Sequence, residues 1–83
     1  MTITMYGADW CGDCVRAEKF FVDNNIDFQK VDLERDENKQ IGEAEVLRRN
    51  NGQKSIPVIV FADDSHQTEP TNAQLAEKLG LAK

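Results

Sequence analysis

The sequence predicts an α/β fold of order βαβαββα, a four-stranded mixed sheet flanked by three helices, and three observations carry that expectation. The polar–apolar alternation of TITMY (Thr2 to Tyr6) gives way after Cys11 to three-and-four spacing, the change of period that marks a strand followed by a helix. IPVIVFA (Ile56 to Ala62) is a near-continuous run of β-branched and aromatic residues, as expected of a strand covered on both faces. Strand, helix and strand between Thr2 and Glu34 make a βαβ unit, whose crossover forces the two strands parallel.

Taken in order, Ile3 and Met5 define one face of the first strand, and Gly7 ends it. Cys14, Ala17, Glu18, Phe21 and Val22 then fall three and four apart, predicting a helix from about Gly12 to Asp23 with Cys14, Ala17, Phe21 and Val22 on one stripe. Asp23 to Asn25 closes it, because Asn tolerates the left-handed conformation in which helices end. Ile26 to Glu34, with Phe28, Val31 and Leu33, is read as the second strand. Arg35 to Arg49 is read as a second helix with Asp36 as its cap and Asn50 to Gly52 as its stop, although its apolar stripe is weak. Pro57 is tolerated at the start of the third strand, where a missing N–H is forgiven. Asp63 to Ser65 turns the chain into a short partner, His66 to Thr68. Thr71 or Asn72 caps a last helix in which Leu75 and Leu79 lie four apart and Gly80 ends the turn.

Eighty-three residues predict one domain spanning 1–83, and 40% apolar with 30% charged residues is ordinary globular composition. A net charge of −5 with no basic concentration argues against nucleic acid as a partner. The N-terminal stretch lacks the charged and apolar regions of a secretory signal, and no run suits a membrane span, so the expected location is cytoplasmic and the expected state a monomer.

Chemistry concentrates in WCGDCV (Trp10 to Val15), which holds both cysteines. A disulfide between Cys11 and Cys14 closes too small a loop to serve as a staple. Structural zinc needs about four ligands, and His66 is the sole histidine, so no metal site is expected. Two buried core thiols are the bland alternative, weakened by the place of Cys11 at the strand-to-helix junction. A redox pair fits best. The N–H groups of the first helical turn and the dipole stabilise a thiolate at Cys11, and Cys14, one turn on, can attack a mixed disulfide formed there. In a cytosolic chain beside a βαβ pattern this spacing is a thioredoxin-like redox signature. Pro57 is a second mark: a cis Ile56–Pro57 bond beside the sulfurs would present the Ile56 backbone to an extended substrate.

YGADWCGDC, KSIPVIVF and the element order together resemble the glutaredoxin family of the thioredoxin fold over essentially the whole chain, most closely its actinobacterial mycoredoxins. WCGDCVRAEKFF, VDLE, NNGQKSIPVIVFADDS and TEPTNAQLAEKL are similar to theirs in kind and order. The resemblance implies a dithiol enzyme, with no bound cofactor, that reduces mixed disulfides between proteins and a low-molecular-weight thiol, mycothiol or glutathione. It makes Cys11 the nucleophile, Cys14 the resolving thiol and Pro57 the cis proline with Ile56 as backbone anchor. Trp10, Gly12, Asp13, Glu69 and Thr71 join these as expected substrate- or thiol-binding residues. Two departures stand out: Ala8 replaces the lysine usual three residues before the first cysteine, and Glu69–Pro70 replaces a Gly-Gly pair. Both remove features of a pocket for an anionic tripeptide. Alternative roles are an electron donor to ribonucleotide reductase, recycled by a thioredoxin-reductase-type flavoprotein, and an iron–sulfur carrier holding its cluster between two protomers.

Among the neighbours, Asp13 suits the first helical turn and also opposes a thiolate nearby. Trp10 serves equally as a packed residue or as a partner contact. Arg16, Arg48, Arg49 and Lys54 are candidates for a cationic rim.

Overall fold

A computed structural model describes residues 2–81. The elements are β1 (Ile3–Gly7), α1 (Gly12–Asp23), β2 (Phe28–Asp32), α2 (Lys39–Arg49), β3 (Val58–Val60), β4 (His66–Thr68) and α3 (Asn72–Lys78), the predicted order. They form a four-stranded sheet in the order β2-β1-β3-β4. β1 and β2 are parallel, with Met5 opposite Lys30, whereas β3 runs antiparallel to both β1 and β4.

The two-residue period of the strands divides the apolar residues into two cores. Ile3, Met5 and Ile59 face α1 and α3 and pack with Ala17, Phe21, Phe61 and Leu75. Val58 points the other way, towards Val46 of α2 and Leu33, with Tyr6, Val31 and Val60 around them. Adjacent residues of β3, Val58 and Ile59, are both fully buried, which is why IPVIVFA lacks alternation.

The boundaries depart from expectation where polar side chains compete with the backbone ladder. β2 stops at Asp32, because its carboxylate accepts the N–H groups of Glu34 and Arg35 and bends the chain away. Asp36 likewise caps a turn by accepting from Asn38 N–H, so α2 begins only at Lys39 and its N-cap Asn38 makes no side-chain bond. β3 is shorter than Ile56 to Ala62, since Pro57 has no N–H to give and Phe61 N–H bonds back to Ser65 in the turn. Val22 leaves the α1 stripe: it is 60% exposed, a full residue step around the helix from buried Phe21. At the end of α1, Asn25 takes the left-handed conformation expected of it, with φ 57°.

Candidate active site

β1 delivers the chain to the carboxyl end of the sheet, and Ala8 to Trp10 turn it into α1 so that Cys11 becomes the N-cap. The cap position leaves orphan N–H groups pointing at whatever stands there. Here it is sulfur: Cys11 Sγ accepts the Cys14 N–H at 3.3 Å. On its other side the Cys11 thiol lies 3.9 Å from the Ile56 carbonyl oxygen, to which it donates. Cys11 is 8% exposed and Cys14 1%, and the two thiols are not bonded to each other.

Burial, and then the hydrogen bond with Cys11, push the Cys14 thiol up to about 12, against a smaller pull downwards from the Ala8 backbone N–H. At neutral pH this side chain is a protonated thiol. It lies against Gly7, where a Cβ would fall 2.7 Å from its sulfur.

Opposite the sulfurs, Ile56–Pro57 is a cis peptide bond. The Pro57 carbonyl accepts the Glu69 N–H at 2.8 Å, which places the SIP and TEPT stretches side by side. Glu69 is exposed with φ 50°, the left-handed conformation that a glycine would adopt freely. Pro70 is buried, and its carbonyl accepts Arg16 Nη2 from α1 at 2.8 Å. The Thr71 hydroxyl accepts the Gln74 N–H while Gln74 reaches back to Thr71 N–H, a complete capping box for α3.

Trp10 is 70% exposed and donates from Nε1 to Glu34, so of its two predicted roles packing under the loop is not realised. Gly12 and Asp13 are exposed beside it, with Asp13 3.7 Å from Arg16. The cationic rim does not assemble. Arg48 and Arg49 are drawn to Glu45, Arg49 also to Asp64, and Lys54 to Glu43. His66 Nδ1 sits 3.2 Å from Arg49 on β4. Among the described residues no group of three or more His, Cys, Asp or Glu side chains is placed to hold a metal ion, and no helix is long and apolar enough to cross a membrane.

Sequence reasoning missed two features. In the sequence Gly7 marks only the end of a strand, although a glycine closing an alternating strand can also signal close approach of another group. Asp9, bonded to Lys30 and Arg35, straps the loop before Cys11 to β2 and the turn after it. Nothing in the spacing of those three residues signals that they meet.

A thiol at a helix N-cap, a second thiol one turn on and a cis proline facing them invite comparison with known proteins. The sequence model of the glutaredoxin family matches residues 3–66. This chain belongs to the glutaredoxin family. As a glutaredoxin it is a thiol–disulfide oxidoreductase with the thioredoxin-like fold. It is 34% identical over 77 residues to a Mycobacterium tuberculosis protein named "Putative glutaredoxin Rv3198A", covering 93% of this chain and 88% of that one. It is 31% identical over 78 residues to mycoredoxin 1 of Corynebacterium glutamicum, covering 93% of this chain and 91% of that protein. Among solved structures, the glutaredoxin of Methanosarcina mazei Go1 superposes with a TM-score of 0.78 at 31% identity, covering 95% of this chain and 78% of that one.

Proposed function

We propose that this glutaredoxin reduces mixed disulfides between proteins and mycothiol, with Cys11 as nucleophile. The observation that carries the role of Cys11 is its sulfur at the α1 N-cap, accepting the Cys14 N–H at 3.3 Å. The thiolate is the attacking form of a cysteine, and an N–H at the positive end of the helix is aimed at the sulfur that would carry the charge. The thiolate attacks the mycothiol sulfur of the mixed disulfide; that S–S bond breaks and the protein thiolate departs, taking up a proton. Cys11 is then disulfide-bonded to mycothiol.

Two routes restore it. A second mycothiol thiolate can attack the mycothiol sulfur, releasing mycothiol disulfide and Cys11, or Cys14 can attack Cys11 and release mycothiol, leaving a Cys11–Cys14 disulfide. Burial and the hydrogen bond with Cys11 push the Cys14 thiol up to about 12, which makes it a slow resolving group near neutral pH. The small-thiol route therefore carries turnover, and Cys14 resolves when small thiol is scarce.

Mycothiol is favoured over glutathione by the charges at the site. Ala8 is buried where glutathione users place a lysine, Arg48, Arg49 and Lys54 are held by carboxylates elsewhere, and Arg16 gives Nη2 to the Pro70 carbonyl and faces Asp13 at 3.7 Å, with its Nε unpartnered. The exposed side chains on the stretches around Cys11 include three acids: Asp13 two residues on, Glu34 bonded to Trp10, and Glu69, whose N–H bonds the Pro57 carbonyl. Such a rim repels a doubly carboxylated tripeptide and offers acceptors to an uncharged, hydroxyl-rich thiol. The relative named mycoredoxin 1 points the same way. Trp10, Gly12, Ile56, Pro57 and Thr71 complete the proposed contact surface for thiol and substrate.

The test offers a protein–small-thiol mixed disulfide, with mycothiol and its reductase, glutathione and its reductase, or a thioredoxin-reductase-type flavoprotein as the source of electrons. Fastest turnover with mycothiol and none for Cys11→Ser is the expected result. Turnover supported best by the flavoprotein would replace mycothiol as the electron source, and activity retained by Cys11→Ser would remove Cys11 from the mechanism.

A further inference from the structure

Gly7 closes β1 in a conformation that does not require glycine: among the described glycines only Gly52 and Gly80 have positive φ. A glycine inside a strand costs conformational entropy, so some other demand must keep it there. The demand is steric and comes from the second redox sulfur. A Cβ on Gly7 would lie 2.7 Å from Cys14 Sγ and 3.2 Å from Cys14 Cβ. At Gly12, Gly52 and Gly80 a Cβ would meet nothing within 4 Å; at Gly42 it would also be crowded, by Leu33, Val31 and Tyr6 side chains at 2.9, 3.0 and 3.1 Å, but by no sulfur among those nearest atoms.

We propose that the bare Cα of Gly7 is the seat of the reduced Cys14 thiol, and that Gly7 is a positioning residue which sets the balance between dithiol and disulfide. The inference rests on the dithiol reading above. Non-bonded heavy atoms settle at about 3.5–4.0 Å, so a methyl group at position 7 evicts the sulfur from its seat. In the disulfide, Cys14 Sγ is instead drawn to about 2.05 Å from Cys11 Sγ, and contact with position 7 matters less. A side chain at position 7 therefore destabilises the dithiol more than the disulfide. The reaction concerned is two-electron: both cysteines lose their protons, a bond forms between their sulfurs, and the electrons cleave the disulfide of oxidised dithiothreitol, whose two sulfurs take up the protons.

The experiment equilibrates the wild type and Gly7→Ala in dithiothreitol redox buffers and quantifies dithiol and disulfide forms by thiol trapping. An approximately tenfold shift towards the disulfide is expected for Gly7→Ala, equivalent to a potential about 30 mV more negative. A residue that merely packs would destabilise both forms equally and leave the potential unmoved. That outcome, or a shift towards the dithiol, overturns the inference while the wild type still titrates as a dithiol. A wild type that forms no Cys11–Cys14 disulfide overturns the dithiol reading and this inference together. Should Gly7→Ala not fold when reduced, Gly7→Ala/Cys14→Ala decides: folding regained once the sulfur is removed supports the seat, and folding not regained overturns it.

Discussion

α1 and α2 cover opposite faces of one sheet, but α1 closes its face with apolar and sulfur side chains, whereas α2 relies on a small buried contact and a fence of charge. α1 buries Cys14, Ala17 and Phe21 along a continuous stripe and is capped by the Cys11 sulfur. α2 buries only Gly42 and Val46, has no side-chain cap, and is tied down by Glu45, Arg48 and Arg49. Arg49, its side chain 6% exposed, reaches across to Asp64 in the β3–β4 turn. A helix held by shape can place a sulfur to within a fraction of an ångström. A helix held by ion pairs tolerates adjustment, and both cysteines are on the first kind.

The largest expected effect follows from that contrast. Phe21→Ala removes a fully buried ring from the core between the sheet, α1 and α3, and should cost about 3–5 kcal/mol of unfolding free energy. Val46→Ala empties less volume under α2 and should cost about 2 kcal/mol. Urea titration of the reduced proteins checks both. Equal losses would show that the two faces are sealed alike, and the contrast between the helices would fail.

The same contrast explains what could be read from the sequence. The extent of α1 is legible in the sequence, because three-and-four spacing and Asn25 agree on it, although Val22 turns out of the stripe that the spacing predicts. α2 and β2 were misjudged at their shared boundary, because Asp32 and Asp36 spend their carboxylates on turn N–H groups, and a weak apolar stripe gives no competing signal. At the site, the two cysteines and Pro57 announce themselves by residue type. Gly7, and the Asp9–Lys30 and Arg16–Pro70 contacts, arise only when distant stretches of chain meet, and no local pattern encodes them.

Opposite ends of the pH scale should separate the helices next. Two hydrogen-bonded arginines, Arg48 first and then Arg49, hold Glu45 down at about 2. In the folded state it therefore binds fewer protons than in the unfolded chain. The stability it contributes is present above its ordinary value of 4.5 and drains away as pH falls from there to about 2. Cys14 behaves inversely. With its thiol pushed from 9.0 up to about 12, the folded state holds the proton longer, so its contribution is complete below about pH 9 and is lost as pH rises through about 12. Each loss has a limiting slope of about 1.4 kcal/mol per pH unit. Glu45→Gln should flatten the acid limb alone, and Cys14→Ser in the reduced protein the alkaline limb alone, both read from unfolding free energies across pH. An alkaline limb unchanged in Cys14→Ser would mean that the thiol is not held protonated by the fold.

The smallest expected effect is at the α1 N-terminus, where charge and shape meet. Asp13 is exposed in the first turn, and its carboxylate adds to the forces that raise the Cys14 thiol. A negative charge beside the sulfurs disfavours thiolate at the pair, so removing it stabilises the reduced form relative to the disulfide and raises the reduction potential. Arg16, 3.7 Å away, already offsets part of that charge, and solvent screens more. Asp13→Asn should therefore shift the dithiol–disulfide constant only about twofold, roughly 10 mV upwards, in low-salt dithiothreitol buffers. The shift should shrink at about 1 M salt, where the Debye length falls to about 3 Å. The Gly7→Ala shift, being steric, should persist at any ionic strength. Salt dependence thus assigns each tuning residue to its mechanism, and an Asp13→Asn shift that survives high salt would mean that this residue acts by shape as well.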